Sequence, residues 1–91
     1  MKKRANIIVS GRVQGVFFRV YAKQKAEKLK LIGWIRNVPN GQVEIVAEGE
    51  EKDLKDLIKQ CYNGPSGAKI EEVTVEWGNY KGEFNEFKVL V

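Results

Sequence analysis

Arg19 and Asn37 are the two side chains whose types and positions point most directly to chemistry on a phosphate group. The run from Gly11 to Arg19 contains two glycines and no proline, so several backbone N–H groups can converge on an anion. A guanidinium at the end of this run can bind two phosphate oxygens in a fork while the loop binds the others. The carboxamide of Asn37 can share the phosphate and hold one water molecule beside it. The sequence therefore predicts an anion site made of a glycine-containing loop, one arginine and one asparagine.

Each half of this site also has a purely structural interpretation. The glycines can simply relieve strain where a strand turns into a helix, with Arg19 in solvent. Asn37 comes just before a turn of sequence Pro39-Asn40-Gly41, a place where asparagine is common for conformational reasons. The loop matches neither the Walker phosphate loop nor the dinucleotide fingerprint, so the spacing alone leaves both interpretations open.

The residue types that are missing limit the chemistry further. The chain has no histidine, and Cys61 is its only cysteine. This removes the commonest general base, the Ser-His and Cys-His nucleophile pairs and the usual ligands of a transition metal. We expect no metal site and no internal disulfide, and we expect Cys61 to be a half-buried apolar residue of a helix. The net charge of +4 favours anionic partners.

The hydrophobic pattern predicts seven elements along the chain. The third strand alternates most clearly, with Gln42, Glu44, Val46 and Glu48 on the face away from the core. The predicted elements are a strand over 4–11, a helix over 18–30, strands over 32–38 and 42–49, a helix over 50–62, a strand over 72–77 and a short strand over 87–91.

This order, βαββαβ followed by a short C-terminal strand, is typical of the ferredoxin-like, split βαβ sandwich, an α+β fold. Two helices cover one face of an antiparallel sheet in this fold, and the first two strands run parallel with the third between them. Arg19 and Asn37 then lie at the same edge of the sheet, roughly 10 Å apart, which is twice the spacing of neighbouring strands. The length suits a single domain covering residues 1–91.

Two segments of the sequence resemble the two signatures of the acylphosphatase family. The first is Gly11 to Arg19, which reads GRVQGVFFR. The second is Gly33 to Val43, which reads GWIRNVPNGQV, with Gly49 six residues further on. The length and the order of the elements also look like that family, so the resemblance spans nearly the whole chain.

The resemblance implies an enzyme that hydrolyses the carboxyl-phosphate bond of small acyl phosphates without a cofactor. It implies that Arg19 binds the phosphate and that Asn37 positions the attacking water. The remaining phosphate ligands would be the backbone amides of the loop, contributed by Val13, Gln14, Gly15, Val16, Phe17 and Phe18.

Two other classes of function compete with this one. RNA-recognition domains share the topology, but they stack bases on aromatic residues of the two central strands, and the polar face predicted here has no such platform. A regulatory domain that binds phosphate without turnover is the other alternative. We expect a small-molecule substrate and no nucleic-acid partner. No apolar run approaches the ~20 residues of a membrane span, so we expect no membrane partner. We also expect a cytoplasmic location and a monomer.

Overall fold

The computed structural model describes residues 1–90, and Val91, the last residue of the predicted final strand, lies outside the described residues. Two helices and five strands occur along this part of the chain. Their bounds, in chain order, are β1 (Lys2–Arg12), α1 (Phe18–Lys28), β2 (Ile32–Asn37), β3 (Val43–Glu50), α2 (Glu51–Asn63), β4 (Lys69–Asn79) and β5 (Phe87–Val89).

The five strands form one sheet in the order β4-β1-β3-β2-β5. β3 pairs antiparallel with both β1 and β2, so β1 and β2 run parallel with β3 between them. This is the predicted ferredoxin-like α+β arrangement. The sheet is mixed rather than wholly antiparallel, because β5 pairs parallel with β2 at the edge. The antiparallel prediction therefore describes the four long strands, and β5 departs from it.

The core lies between the sheet and the two helices. Alternate residues of the central strands are completely buried, and the helices supply an apolar stripe that packs on them. Cys61 of α2 is 1% exposed, so it is fully rather than half buried. Burial raises the pKa of its thiol to about 12. The core residues of the strands and helices include Ala5, Ile7, Val9, Val43, Ile45, Ala47, Phe18, Ala22, Ala26, Leu54 and Leu57.

The other face of the sheet carries a buried carboxylate. Glu48 lies on the outward face of β3 as its position predicts, but it is completely buried. The segment after β4 crosses over it, and its carboxylate accepts hydrogen bonds from Lys81 N–H at 2.8 Å and Gly82 N–H at 3.0 Å. Arg4 bridges Glu48 and Glu83, at 3.2 and 2.6 Å. The predicted face of Glu48 is therefore confirmed, and the structure adds that this part of the face is covered and that the carboxylate is paired.

We expect Glu48→Gln to lower the free energy of unfolding by about 2 kcal/mol at pH 7, because a buried hydrogen-bonded charge is lost and an amide then faces N–H donors. Burial opposes ionisation, but the bonds from Lys81, Gly82 and Arg4 outweigh it and lower the pKa of Glu48. A carboxyl whose pKa is lowered by folding stabilises the protein above its unfolded pKa, about 4.3 for Glu. That stabilisation is lost as the pH falls through the lowered value.

Thermal unfolding of the wild type and of Glu48→Gln between pH 7 and pH 2 measures how the contribution of Glu48 to stability depends on pH. The difference between the wild type and Glu48→Gln is expected to shrink as the pH falls below about 4.3. Glu72→Gln, on the exposed surface of β4, is the matched control and is expected to change little. A difference that stays constant over the whole pH range contradicts the ionised state assigned to Glu48.

Candidate active site

The loop from β1 to α1 is fixed at both ends by buried side chains. Val13 and Phe18 are each 1% exposed and belong to the core. Between them the backbone turns twice through the left-handed region, at Gly15 with φ 76° and at Phe17 with φ 61°. Glycine adopts this conformation freely, whereas a bulky residue such as Phe17 does so at a cost in energy. Such strained residues are concentrated at functional sites, so the loop is a candidate for one.

The backbone N–H groups of this loop are available to a ligand. Within residues 1–90, no N–H group of residues 14–17 donates a well-formed hydrogen bond to the protein. The N–H groups of Phe18 and Arg19 belong to the first turn of α1, where a helix leaves such donors without intrahelical acceptors. The loop and the helix start together offer a set of donors to an anion.

Gln14 fastens the loop to the hairpin between β2 and β3. Its side-chain amide donates to the carbonyl oxygens of Val38 and Gln42, both at 2.8 Å. The same two residues also bond to each other, since Val38 N–H donates to the Gln42 carbonyl at 2.8 Å. The hairpin begins directly after Asn37, so Gln14 sets the distance between the loop and the end of β2.

Arg19 is the second residue of α1, and its guanidinium reaches the C-terminal segment. One Nη1–H donates to the carbonyl oxygen of Leu90 at 2.9 Å. Within residues 1–90 no carboxylate forms an ion pair with Arg19. The guanidinium has five N–H donors, so several stay available to an anion while this bond orients the side chain.

Arg19 and Asn37 line the same pocket. Its volume is about 210 Å³, and the described residues around it are Val13, Gly15, Phe17, Phe18, Arg19, Val20, Asn37 and Val89. Asn37 is the last residue of β2, and the parallel course of β1 and β2 brings it to the edge where the loop leaves β1. The Asn37 carboxamide forms no hydrogen bond to the rest of residues 1–90, so it can bind a ligand or a water molecule.

The sequence model of the family named Acylphosphatase matches residues 5–89. This chain belongs to the acylphosphatase family. An acylphosphatase of Pelotomaculum thermopropionicum is 44% identical over 88 residues, which cover 97% of this chain and 96% of that protein. Relatives of this kind are enzymes, and the chain is accordingly an enzyme that hydrolyses acyl phosphates.

Solved structures agree with the family assignment. The crystal structure of acylphosphatase from Bacillus subtilis superposes with a TM-score of 0.95 at 36% identity and covers both chains completely. A structure of full-length HypF in a phosphate- and nucleotide-bound form also matches, with a TM-score of 0.91 and 33% identity. That match covers all of this chain but 12% of the HypF chain, so the acylphosphatase fold also occurs as a small part of a larger protein.

Most of the acylphosphatase site residues expected from the sequence lie around the pocket, and two do not. Gln14 and Val16 are absent from its lining: the Gln14 side chain bonds to the hairpin, and Val16 is half-buried against the core. Val20 and Val89 line the pocket without having been expected there. Val20 directly follows Arg19, so its place beside the pocket could have been predicted from the sequence. Val89 lies there because β5 pairs with β2, and the sequence does not indicate that pairing.

Two further properties concern the described part of this acylphosphatase chain. Across residues 1–90, no helix combines the length and apolar character needed to cross a membrane. The same residues contain no group of three or more histidine, cysteine, aspartate or glutamate side chains that is close enough to hold a metal ion.

We expect Gln14→Ala to lower kcat/KM for an acyl phosphate by about tenfold to a hundredfold, because a small displacement of the phosphate-binding loop relative to Asn37 strongly lowers the rate. The free energy of unfolding should fall by only about 1 kcal/mol, since both carbonyl oxygens keep their backbone donors. Activity and thermal unfolding are measured side by side, with Gln24→Ala on the exposed face of α1 as control. A loss of stability without a loss of activity contradicts the positioning role.

Proposed function

We propose that the chain hydrolyses small acyl phosphates to carboxylate and inorganic phosphate by direct attack of a water molecule on phosphorus. Arg19 and the loop amides from Val13 to Phe18 hold the phosphate, and Asn37 positions the water. The observation that carries the proposal is that Arg19 and Asn37 line one pocket at the N-terminal end of α1.

Arg19 supplies the charge that this reaction needs. Phosphoryl transfer spreads negative charge over the equatorial oxygens, and catalysis rests on placement and electrostatic stabilisation more than on covalent chemistry. The bond from Arg19 to the Leu90 carbonyl pre-orients the guanidinium, which reduces the reorganisation required when the phosphate binds. The unpaired N–H groups of the loop hold the oxygens that Arg19 does not reach.

Asn37 orients the attacking water and takes no part in the transfer of its proton to the phosphate. Its carboxamide oxygen accepts a hydrogen bond from the water, and this bond directs a lone pair of the water oxygen toward phosphorus. The bond from phosphorus to the carboxyl oxygen breaks, and the electron pair leaves with the carboxylate, a good leaving group. No carboxylate lines the pocket within residues 1–90, so we assign the water's proton to a phosphate oxygen of the substrate.

Hydrolysis of benzoyl phosphate in water enriched in oxygen-18, with excess chelator present, tests this function. Attack on phosphorus places the label in inorganic phosphate, whereas attack on the carbonyl carbon places it in benzoate. The proposal expects label in phosphate and an unchanged rate with chelator. Label in benzoate contradicts the mechanism, and the absence of turnover leaves a phosphate-binding regulatory domain as the alternative.

The open face of the sheet bears on the RNA-binding alternative. Part of this face is covered by the segment that bonds Glu48, and Glu44 is paired with Arg36 at 2.8 Å. The carboxylates of β3 on this face are therefore paired with arginines rather than free. The two central strands, β1 and β3, carry no aromatic residue on which a base could stack, and we propose no nucleic-acid partner.

We propose that residues 1–91 act as a single domain and a monomer in the cytoplasm, and that neither a cofactor nor a membrane takes part. Sedimentation of the full chain at several concentrations tests the monomer, and a concentration-dependent mass contradicts it.

A further inference from the structure

The dipeptide Asn-Gly occurs twice in this chain, at Asn40-Gly41 and at Asn63-Gly64. Asparagine before glycine is prone to deamidation, because glycine has no side chain to keep its backbone nitrogen away from the asparagine carboxamide. Both asparagines are exposed. Since the two pairs share sequence and exposure, a difference between their reactivities reports on the fold.

Asn40-Gly41 lies at the tip of the hairpin between β2 and β3. The Asn40 side-chain oxygen accepts a hydrogen bond from Gln42 N–H at 3.1 Å, which folds the carboxamide over the backbone of Gly41 as an Asx turn and polarises its carbonyl. A Cβ placed on Gly41 would meet no atom of residues 1–90 within 4 Å. The Gly41 N–H donates to the Val38 carbonyl at 3.0 Å, and opening one such exposed bond costs about 1 kcal/mol. The nitrogen and the carboxamide can therefore meet without disturbing the fold.

Asn63-Gly64 is held more firmly, at the end of α2. Asn63 is the last residue of the helix, and Gly64 N–H donates to the Gln60 carbonyl at 2.9 Å. A Cβ placed on Gly64 would lie 3.2 Å from side-chain atoms of both Ala68 and Ile70, so this glycine is closely packed. Attack by its nitrogen requires the last helical turn to unwind. The fold therefore protects the second pair and leaves the first pair free to react.

We propose that Asn40 is a site of spontaneous deamidation and isomerisation, and that the isomerised product inactivates the enzyme. The nitrogen of Gly41 loses its proton to solvent and attacks Cγ of Asn40. The Cγ–Nδ2 bond breaks, and ammonia leaves with a proton from water. The five-membered succinimide then takes up one water molecule. Opening at one carbonyl gives aspartate, and opening at the other gives isoaspartate, in which the main chain runs through the side-chain carboxyl group.

The two products act differently on the active site. Aspartate at position 40 still accepts the bond from Gln42 N–H, so the turn is retained. Isoaspartate inserts one methylene group into the backbone between Val38 and Gln42, whose carbonyl oxygens Gln14 holds at 2.8 Å. Because Gln14 fastens the phosphate-binding loop and Asn37 precedes Val38, the longer hairpin displaces the loop and Asn37 relative to each other. Inactivation therefore follows the change in the backbone and not the added charge.

Incubation of the full chain at pH 8.5, in the folded state and in denaturant, tests the modification. Peptides obtained by digestion at acidic pH are analysed by mass spectrometry, since each deamidation adds about 1 Da. In the folded protein, Asn40 is expected to react at least about tenfold faster than Asn63, because only the hairpin pair reaches the attacking geometry. In denaturant, the two are expected to react at similar rates. No reaction at Asn40, equal rates in the folded protein, or a difference that persists in denaturant contradicts the proposal.

Activity on benzoyl phosphate tests the consequence. The chromatographic fraction with isoaspartate at position 40 is expected to have a kcat/KM at least about tenfold below that of fresh protein. Asn40→Asp carries the charge without the methylene group and should stay within about twofold of wild type. Asn40→Gln, which would have to close a six-membered ring, should keep its activity during incubation, whereas the matched control Asn63→Gln should lose activity as fast as wild type.

Three results would overturn the link to inactivation: full activity in the isoaspartate fraction, an equally large loss in fresh Asn40→Asp, or loss of activity by Asn40→Gln at the wild-type rate. The deamidation itself is independent of the proposed function, and only its effect on catalysis rests on it. Failure of the proposed function is recognised separately, because fresh wild type then shows no turnover while the mass change at Asn40 still occurs.

Discussion

Arg19→Ala is expected to lower kcat/KM for benzoyl phosphate by about a thousandfold, the upper end of the loss seen when one preorganised charge-stabilising donor is removed. The guanidinium is the only charge around the pocket in residues 1–90, so no neighbour replaces it. Arg19→Lys should also be strongly impaired, because an ammonium group is a point charge and cannot bind two oxygens in a fork. Titration with inorganic phosphate should show weaker binding in both variants.

The control for Arg19 is Arg36→Ala, which removes the same charge from the exposed side of β2. Arg36 is paired with Glu44 at the surface, where such pairs contribute little. Its activity should stay within about twofold of wild type. Equal losses in the two alanine variants indicate a general effect of net charge and contradict a specific phosphate contact at Arg19.

Asn37→Ala is expected to lower kcat by about a hundredfold while KM changes little, because water placement matters mainly in the transition state. The carboxamide makes no hydrogen bond within residues 1–90, so its removal should leave the fold and its stability intact. Steady-state kinetics and thermal unfolding of the same preparation check both statements. Asn85→Ala, in the exposed segment before β5, is the control.

Two results would contradict the water-positioning role of Asn37. A rise in KM with an unchanged kcat would mean that Asn37 binds the phosphate in the ground state and does nothing more in the transition state. Equal proportional changes in kcat and in phosphate affinity would likewise indicate a general distortion of the pocket. Comparing Asn37→Ala with Arg19→Ala separates the roles, since phosphate binding is expected to weaken chiefly in the arginine variant.

Local patterns in the sequence were sufficient to predict the elements and their order. A helix over 50–62 is predicted from its apolar stripe, and α2 covers Glu51–Asn63. The helix predicted over 18–30 ends earlier, at Lys28, because Lys30 adopts φ 59° and closes the end of the helix. Lys30 N–H donates to Glu27 and Leu31 N–H to Ala26, which is the pattern of a Schellman motif. That motif usually contains glycine at this point, so a lysine gave no signal.

The edge of the sheet where the site lies also followed from the sequence, because parallel β1 and β2 must end on the same side. The contacts that fix the site did not follow, since they join residues far apart in the chain. Gln14 bonds to Val38 and Gln42, and Arg19 bonds to Leu90. Each depends on the direction of a long side chain in the folded state, which no local pattern records. Glu48 is a similar case, because its burial depends on a segment more than thirty residues away.

The position of β1 in the sheet has a consequence for synthesis on the ribosome. β1 is made before the other strands of this sheet, yet residues 3–12 pair with residues 69–79 of β4, which follow more than fifty residues later. A nascent chain therefore cannot pair this side of β1 until β4 has left the exit tunnel, and one edge of β1 stays open until then. Pairings between such distant segments also slow folding. Chaperone contact during elongation should consequently concentrate in the interval before β4 emerges.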